Sequence, residues 1–387
     1  YRNALVVAEF ALALVLLIGA GLLLRSFVAL NSVDSGVKSS GVLTMSVSLP
    51  QSKYPSGGMW QRFYEPALER IQAAPGVRAV GMIKLLPLQN WGSNGDFAIE
   101  GRPPTEPGQA PFAESRDVSP GYFRAMGIPI VRGRDVFAQD SATSLPVVMI
   151  NDALARKYFQ GQDPIGQKIQ WDGWRTIVGV AGSIHQAGLD QAPLPELYFP
   201  AAQRPGSIAG MTLVISSNVE PTSLTRAIES AIHSVDPSQP VFGVKTMERV
   251  VSDSLSSQRL YVWLLGVFAA IALILASAGI YGVMSYLVTR RTQEFGVRMA
   301  LGASASDILR MVLRQSLMLI AVGVAIGLVG AFAVTRVLTN FLFGVKPTDL
   351  LTFGTVSMVL VIVALIATYL PALRATKVDP MVALRYE

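Results

Sequence analysis

The sequence predicts a membrane protein: four transmembrane α-helices with a large α+β extracytoplasmic domain of two lobes between the first and second helices. Three observations lead there. Of 387 residues, 51% are apolar and only 15% charged, too hydrophobic a balance for an ordinary soluble chain of this length. The apolar residues gather in four runs, 4–24, 262–288, 316–335 and 352–370, each close to the roughly 20 helical residues that cross a bilayer. Between the first and second runs, residues 31–258 carry the Gly, Pro and alternating apolar pattern of a folded domain.

The first helix is placed at 1–30. Arg2 before an apolar stretch also suits a secretory signal, but the run outlasts a signal core and continues as GAGLLLR (19–25) without a small-x-small cleavage context. A retained helix is favoured. Glu9 is the one charge inside any of the four runs. It lies about one and a half turns in, within reach of the head-group layer or a neighbouring helix, and an interfacial role is favoured over a functional ionisable site.

In the domain, VLTMSVSL (42–49) alternates as a strand does, and WQRFYEPALERIQA (60–73) has helical spacing before the breaker Pro75-Gly76. Residues 77–86 read as a second strand, which gives a β-α-β start. Residues 90–111 are a Gly/Pro/Asn-rich loop. Then follow VSPGYFRAMGIPIVRGRD (118–135), the strand-helix pair PVVMINDALARKYF (146–159), the strand WRTIVGVAG (174–182) and PELYFP (195–200). A strand at 211–216 and a helix at 223–234 return to the opening pattern, so the middle block reads as inserted into the first lobe. Met247, Val250, Val251 and Leu255 keep helical spacing through 246–258, so one continuous helix is expected to run as a stalk into the second span.

The remaining segments are a second span at 259–288, a loop at 289–315, a third span at 316–338, a short outer loop at 339–351, a fourth span at 352–371 and a tail at 372–387. Gly279, Tyr281, Gly282 and Tyr286 suit membrane packing and interfacial anchoring. Arg290, Arg291, Arg298, Arg310 and Arg314 face only Glu294 and Asp307 in the 289–315 loop, while the outer loop holds Lys346 and Asp349 and the tail Arg374, Lys377 and Arg385. Short Arg-rich loops stay on the cytoplasmic side, so the amino terminus is inside and the large domain outside. Gly323, Gly327 and Gly330 line the third span; the stripe serves either a subunit contact or packing within one bundle.

Several function classes fall away. There is no cysteine, hence no disulfide or thiolate chemistry. The net charge of +6 is accounted for by the membrane-flanking arginines, not by a nucleic-acid partner. GQDPIGQK (161–168) has Gln where a phosphate-binding loop needs Lys, and Lys where it needs Ser or Thr. His185 and His233 form no zinc-binding spacing, and no G-x-S-x-G elbow occurs. No catalytic, cofactor-binding or metal-ligating residue is therefore expected.

The cytoplasmic loop has two readings. It is either a solvated basic loop meeting lipid phosphates, or a docking segment. Phe295, Val297, Met299 and Leu301, flanked by Glu294 and Arg298 and closed by Gly302, put large apolar side chains into a charged rim, which favours docking into another protein.

RTQEFGVRMALGAS (291–304), the tail PALRATKVDPMVALRYE (371–387), VSPGYFRAMGIPIVRGRD and PELYFP resemble the MacB/FtsX superfamily of ABC transporter permeases. That resemblance implies a bacterial inner-membrane protein whose outer domain has a porter-like lobe and an inserted lobe. It implies a separate cytoplasmic ABC ATPase, with a coupling helix mapping here to Glu294, Phe295, Gly296, Val297, Arg298, Met299, Ala300, Leu301, Gly302 and Ala303. It also implies a homodimer or a second permease half, membrane lipids, a periplasmic partner, and mechanotransmission in efflux or in lipoprotein or envelope work. An FtsX-like anchored sensor or scaffold without transport is the alternative. The opening RNALVVAEFALALVLLIGAGLLLRSF resembles the second half of duplicated acidobacterial-type permeases, and a start at Tyr1 fits a fragment of such a protein.

Overall fold

The computed structural model describes residues 2–375 except 56, 90, 91, 104, 105, 107, 302, 338, 340 and 341. Lys377, Arg385 and the rest of the tail 376–387 lie outside the described residues. The chain forms two units, 1–32 with 257–387 and 33–256.

In chain order the elements begin with α1 (Arg2–Asn31), then β1 (Val42–Ser48), α2 (Glu65–Gln72), β2 (Val77–Ile83), β3 (Ser93–Asp96), β4 (Ala98–Ile99) and β5 (Phe112–Val118). They continue with α3 (Tyr122–Met126), β6 (Ile130–Gly133), β7 (Val147–Asn151), α4 (Asp152–Tyr158), β8 (Lys168–Gln170), β9 (Trp174–Ala181) and β10 (Glu196–Pro200). After β11 (Gly210–Ser217), α5 (Thr225–Val235), β12 (Val241–Thr246) and α6 (Met247–Ser254), the chain enters α7 (Ser256–Arg290), α8 (Thr292–Ala300), α9 (Ala305–Val337) and α10 (Leu350–Ala375).

In the 33–256 unit one sheet runs in the order β12-β1-β11-β2-β5-β10-β7-β9-β8-β4. β11 returns between β1 and β2, antiparallel to both, so everything from β3 to β10 is inserted between two neighbouring strands. The two lobes meet where β2 and β5 pair at one position, Ile83 with Val118. Alternation along the strands sorts the cores. Leu43, Met45, Val47, Leu213 and Ile215 face α2 and α5 with Phe63, Ile71, Ile228 and Ile232, while Val42, Ala79 and Val214 face Phe123, Met126, Met247 and Val250. The inserted lobe closes on Val148, Ile150, Ile177, Leu197 and Phe199 with Leu154 and Phe159 of the α4 side. Each such buried side chain contributes about 1.5–3 kcal/mol.

The helix read at 60–73 has two parts. Trp60–Tyr64 is a π-turn and α2 follows it. Pro66, which has no N–H for the carbonyl four residues back, sits at the junction.

The uninterrupted stalk expected through 246–258 is corrected. Thr246 caps α6 through its hydroxyl on Arg249 N, but the helix ends at Ser254, with Leu255 at φ −94°, ψ 6°. Met247 and Val250 are held in the core under β1 and β12, and that anchorage fixes α6 as part of the domain.

Asp236, just after α5, is a densely hydrogen-bonded carboxylate of the first lobe. It accepts from Lys53 Nζ at 2.7 Å, Tyr54 OH at 2.6 Å and Ser238 N at 3.0 Å. The Lys53 hydrogen bond, then that of Tyr54, holds its carboxyl well below the usual carboxylate range, while burial and Asp236 push Tyr54 up to about 12. A depressed carboxylate contributes stability above the unfolded value near 4 and loses it as pH falls below that. Asp236→Ala is expected to weaken the domain by about 1–3 kcal/mol at pH 7. Asp236→Asn should blunt its loss of stability below about pH 4, read by thermal unfolding of the purified full chain across pH.

In the other unit, four described helices are long and apolar enough to cross a membrane: Ala4–Asn31, Ser256–Arg290, Ala305–Val337 and Leu350–Arg374. They run past the apolar stretches at their ends because helical hydrogen bonding continues where hydrophobicity stops. α9, for example, begins at Ala305, so SASDILRMVLRQ is mostly its first turns and not loop. α1 is the most covered of the four; α9 and α10 both pack on it. Trp263, Phe268 and Ile274 of α7 stay exposed, as lipid-facing side chains do.

Candidate coupling segment

The Arg-rich segment between the second and third spans is built as a short helix folded under the bundle. Arg291, at φ −103°, ψ 13°, separates α7 from α8. Its N–H still reaches the carbonyls of Leu287 and Val288, and Thr292 Oγ1 donates to Val288 O. After Leu301, Ser304 opens α9 with a reciprocal box: Asp307 Oδ2 accepts from Ser304 N at 3.0 Å, and Ser304 Oγ accepts from Asp307 N at 3.3 Å.

α8 and its C-capping residue Leu301 present two apolar pairs at i,i+4 spacing. Phe295 points inward and is 1% exposed, packed with Val288 of α7, Ile308 and Val312 of α9 and Ala372 of α10, with Met299 beside it. Val297 and Leu301 point outward, 43% and 83% exposed. The expectation that all four offer themselves to a partner is thus corrected in part for Met299, which packs on the same cluster, and fully for Phe295. Packing claims it because its ring fills the space where three helices converge.

The charges flank these pairs. Glu294 lies between Arg291, at 3.2 Å, and Arg298, at 2.7 Å. Arg291 also donates to Gln315 Oε1 and Arg298 towards Met311 Sδ on α9. These ion pairs are half exposed and each is worth at most about 1 kcal/mol; their effect is to hold long side chains along α8. Gly296 and Ala300 lie within α8, Ala303 donates its N–H to Arg298 O, and Gly302 lies outside the described residues. The inward turn of Phe295 went unread in the sequence, as did the α9 extension. The Ser304-x-x-Asp307 box and the spacing of Ile308, Met311 and Val312 were the signals for the latter.

At the α1–α9 contact, a Cβ on Gly323 would stand 2.8 Å from Phe10 Cβ, and one on Gly327 would stand 3.1 Å from Ala11 Cα and 3.0 Å from Leu14 Cβ. At Gly330 it would meet Val15 Cγ2 at 3.3 Å. All three glycines therefore face α1 of the same chain. Of the two surroundings open to Glu9, head-group layer or neighbouring helix, it takes the second: its Oε2 is buried without a hydrogen-bond partner among the described residues, 2.2 Å from where a Cβ on Gly279 of α7 would be.

Elsewhere, residues 161–168 lead out of α4 into β8, and no helix opens from them. Among the described residues no three His, Cys, Asp or Glu side chains gather as a metal site would require.

Residues 4–231 match the MacB-like periplasmic core domain, and residues 266–380 match the FtsX-like permease C-terminal family. The macrolide export ATP-binding/permease protein MacB of Marinobacter nauticus is 28% identical over 268 residues, which cover 67% of this chain and 41% of that protein. The ABC transporter permease YknZ of Bacillus subtilis is 24% identical over 282 residues, 70% of this chain and 69% of that one. The crystal structure of the periplasmic region of MacB from Actinobacillus actinomycetemcomitans aligns over 56% of this chain and 94% of its own, at 15% identity and a TM-score of 0.39. The chain spans less than half the length of the MacB relative. With one family match running through more than half of its residues and a second through the helices that follow, the chain belongs to the MacB/FtsX-type ABC transporter permeases, inner-membrane proteins with a periplasmic domain.

Proposed function

We propose that this chain is a non-catalytic permease subunit that couples ATP hydrolysis by a separate cytoplasmic ABC ATPase to movement of its periplasmic domain, working as a homodimer or with a second permease half. The observation that carries this reading is the division of labour within α8. Phe295 roots the helix among α7, α9 and α10, while Val297 and Leu301 leave an apolar face outside, rimmed by Arg291, Glu294 and Arg298. With the 33–256 domain periplasmic, α8 follows one further crossing and lies on the cytoplasmic side. An exposed apolar face with a charged rim suits a protein cleft. A push on α8 passes to three helices at once, because a packed core transmits strain. Permease-only relatives such as YknZ support the assignment of hydrolysis to a partner. The work done, whether efflux, lipoprotein handling or envelope remodelling, belongs to the same reading.

The test is a photo-crosslinking amino acid placed at Leu301 or at Phe295 of the full chain in native membranes. Position 301 should capture a Walker-motif ATPase, and position 295 should crosslink only within the chain. Lipid adducts alone at 301, or capture of an envelope hydrolase or kinase without an ATPase, would overturn the proposal in favour of an amphipathic interfacial helix or an anchored sensor.

A further inference from the structure

The seam between the two periplasmic lobes contains a buried charge cluster of uneven sign. Arg116 on β5 is 1% exposed and Glu196 on β10 is 0% exposed. Arg116 Nη2 reaches Glu114 Oε2 at 3.2 Å, while its Nε stands 3.8 Å from Glu196 Oε1. The guanidinium is further held by Ser115 O at 3.0 Å and, with the Gln186 amide oxygen turned towards it, by Gln186 at 3.1 Å. Glu114 also accepts from Asn94 Nδ2. Glu196 meets Tyr198 OH at 2.6 Å and Asn151 Nδ2 at 3.5 Å.

α3 carries the cluster across to the first lobe. A Cβ on Gly81 of β2 would lie 2.4 Å from the Tyr122 backbone, so α3 sits tightly on that lobe's sheet. From the same helix Phe123 packs edge-on to Tyr198 at 5.0 Å. The Tyr122 hydroxyl is buried with no hydrogen-bond partner among the described residues. The titratable or charged groups felt by Glu196 are therefore Arg116 and Glu114 from β5, Tyr198 from its own strand and Tyr122 from α3.

One cation cannot neutralise two carboxylates. With both ionised the site would hold a net negative charge away from water, a costly state. The nearer carboxylate, Glu114, takes the guanidinium, and Glu196 is left as the group that keeps a proton. We infer that the Arg116–Glu114–Glu196 cluster is a proton-operated latch: a protonated Glu196 keeps α3 and β10 together across the seam, and loss of that proton favours opening between the lobes.

Burial pushes Glu196 up to about 7, and opening to water returns it to an ordinary value near 4.3. A group raised in the closed state stabilises that state fully below about pH 4 and loses the contribution as pH rises to about 7. Opening should therefore increase by about tenfold per pH unit from about pH 5 to 7 and level off above.

The experiment is hydrogen–deuterium exchange on the full chain in nanodiscs from pH 5 to 9, with times corrected for intrinsic exchange. Peptides over α3 and β10 should show that rise and plateau, and peptides over β1 and β11 should stay flat. Glu196→Gln should exchange slowly at every pH. Glu114→Gln frees Arg116 for Glu196 and should move the plateau down to about pH 6 or below. A flat wild-type profile, an unmoved profile in Glu114→Gln, or a retained rise in a folded Glu196→Gln chain would each overturn the latch. If Glu196→Gln fails to fold, the wild type and Glu114→Gln still decide.

Discussion

A chain carrying Val297→Asp and Leu301→Asp is expected to assemble its bundle normally and to bind the ATPase proposed as its partner at least about a hundredfold more weakly than the wild type does. Leu301 is 83% exposed and Val297 43%, so the bundle loses little buried contact, and exposed substitutions of this kind cost about 0.5 kcal/mol each or less. In the proposed complex the same positions would form the centre of an apolar face. An unpaired carboxylate placed there must be desolvated, and two such residues together are worth upwards of about 3 kcal/mol. Titration of the crosslinked ATPase against the nanodisc-held variant would measure this, and equal affinity would remove α8 as the docking element. Phe295→Ala is expected to behave in the opposite way. Truncating a fully buried ring costs about 3–5 kcal/mol of bundle stability, so the variant should melt earlier while Val297 and Leu301 still bind. If binding persists and hydrolysis no longer depends on the permease, docking and transmission are carried by the two faces of one nine-residue helix.

The sequence could show that this segment mattered but not which side of it did. Phe295/Met299 within α8 and Val297/Leu301, which ends on its C-cap, are both apolar i,i+4 pairs, and periodicity alone cannot choose the pair that turns inward. The choice is made by Val288, Ile308, Val312 and Ala372, contributed by three other helices. The four spans were legible because about 20 apolar residues in a row leave few alternatives, although their polar ends, such as the first turns of α9, were hidden by their charges. In the periplasmic domain β1 could be read from alternation, and β2, β7, β9 and β11 from short apolar runs bounded by turn and helix signals. The short β3, β4 and β8 could not, since two to four residues carry too little pattern. The seam cluster was equally invisible. Glu114 and Glu196 lie 82 residues apart and become neighbours only through the parallel pairing of β5 with β10.

Gly327→Leu is expected to break the bundle. In a bilayer, helices gain little from hiding apolar surface, so their association depends on how closely the backbones can approach. At Gly327 that approach is set by Ala11 Cα, 3.1 Å from an added Cβ. A backbone carbon cannot rotate out of the way as a side-chain end can. Even Gly327→Ala must spread the two helices slightly, costing about 1–3 kcal/mol, partly offset by about 1 kcal/mol of gained helix propensity. Leucine has no such compensation and drives α9 away from Leu14 and Phe10, which belong to the core around α1. Gly330→Ala should be milder, since its added Cβ would meet the movable Val15 Cγ2 at 3.3 Å. Gly266→Leu and Gly354→Leu have nothing within 4 Å of the new Cβ and should be neutral. Thermal unfolding and size-exclusion profiles in one detergent would compare the five variants. An unchanged profile for Gly327→Leu would mean that α1 and α9 are not in close backbone contact. Because Ile308 and Val312, which seat Phe295, lie on the same α9, a chain that survives Gly327→Leu should, under the proposed function, also dock the partner ATPase less rigidly, so loss of stimulated hydrolysis should track the fall in melting temperature across the glycine series.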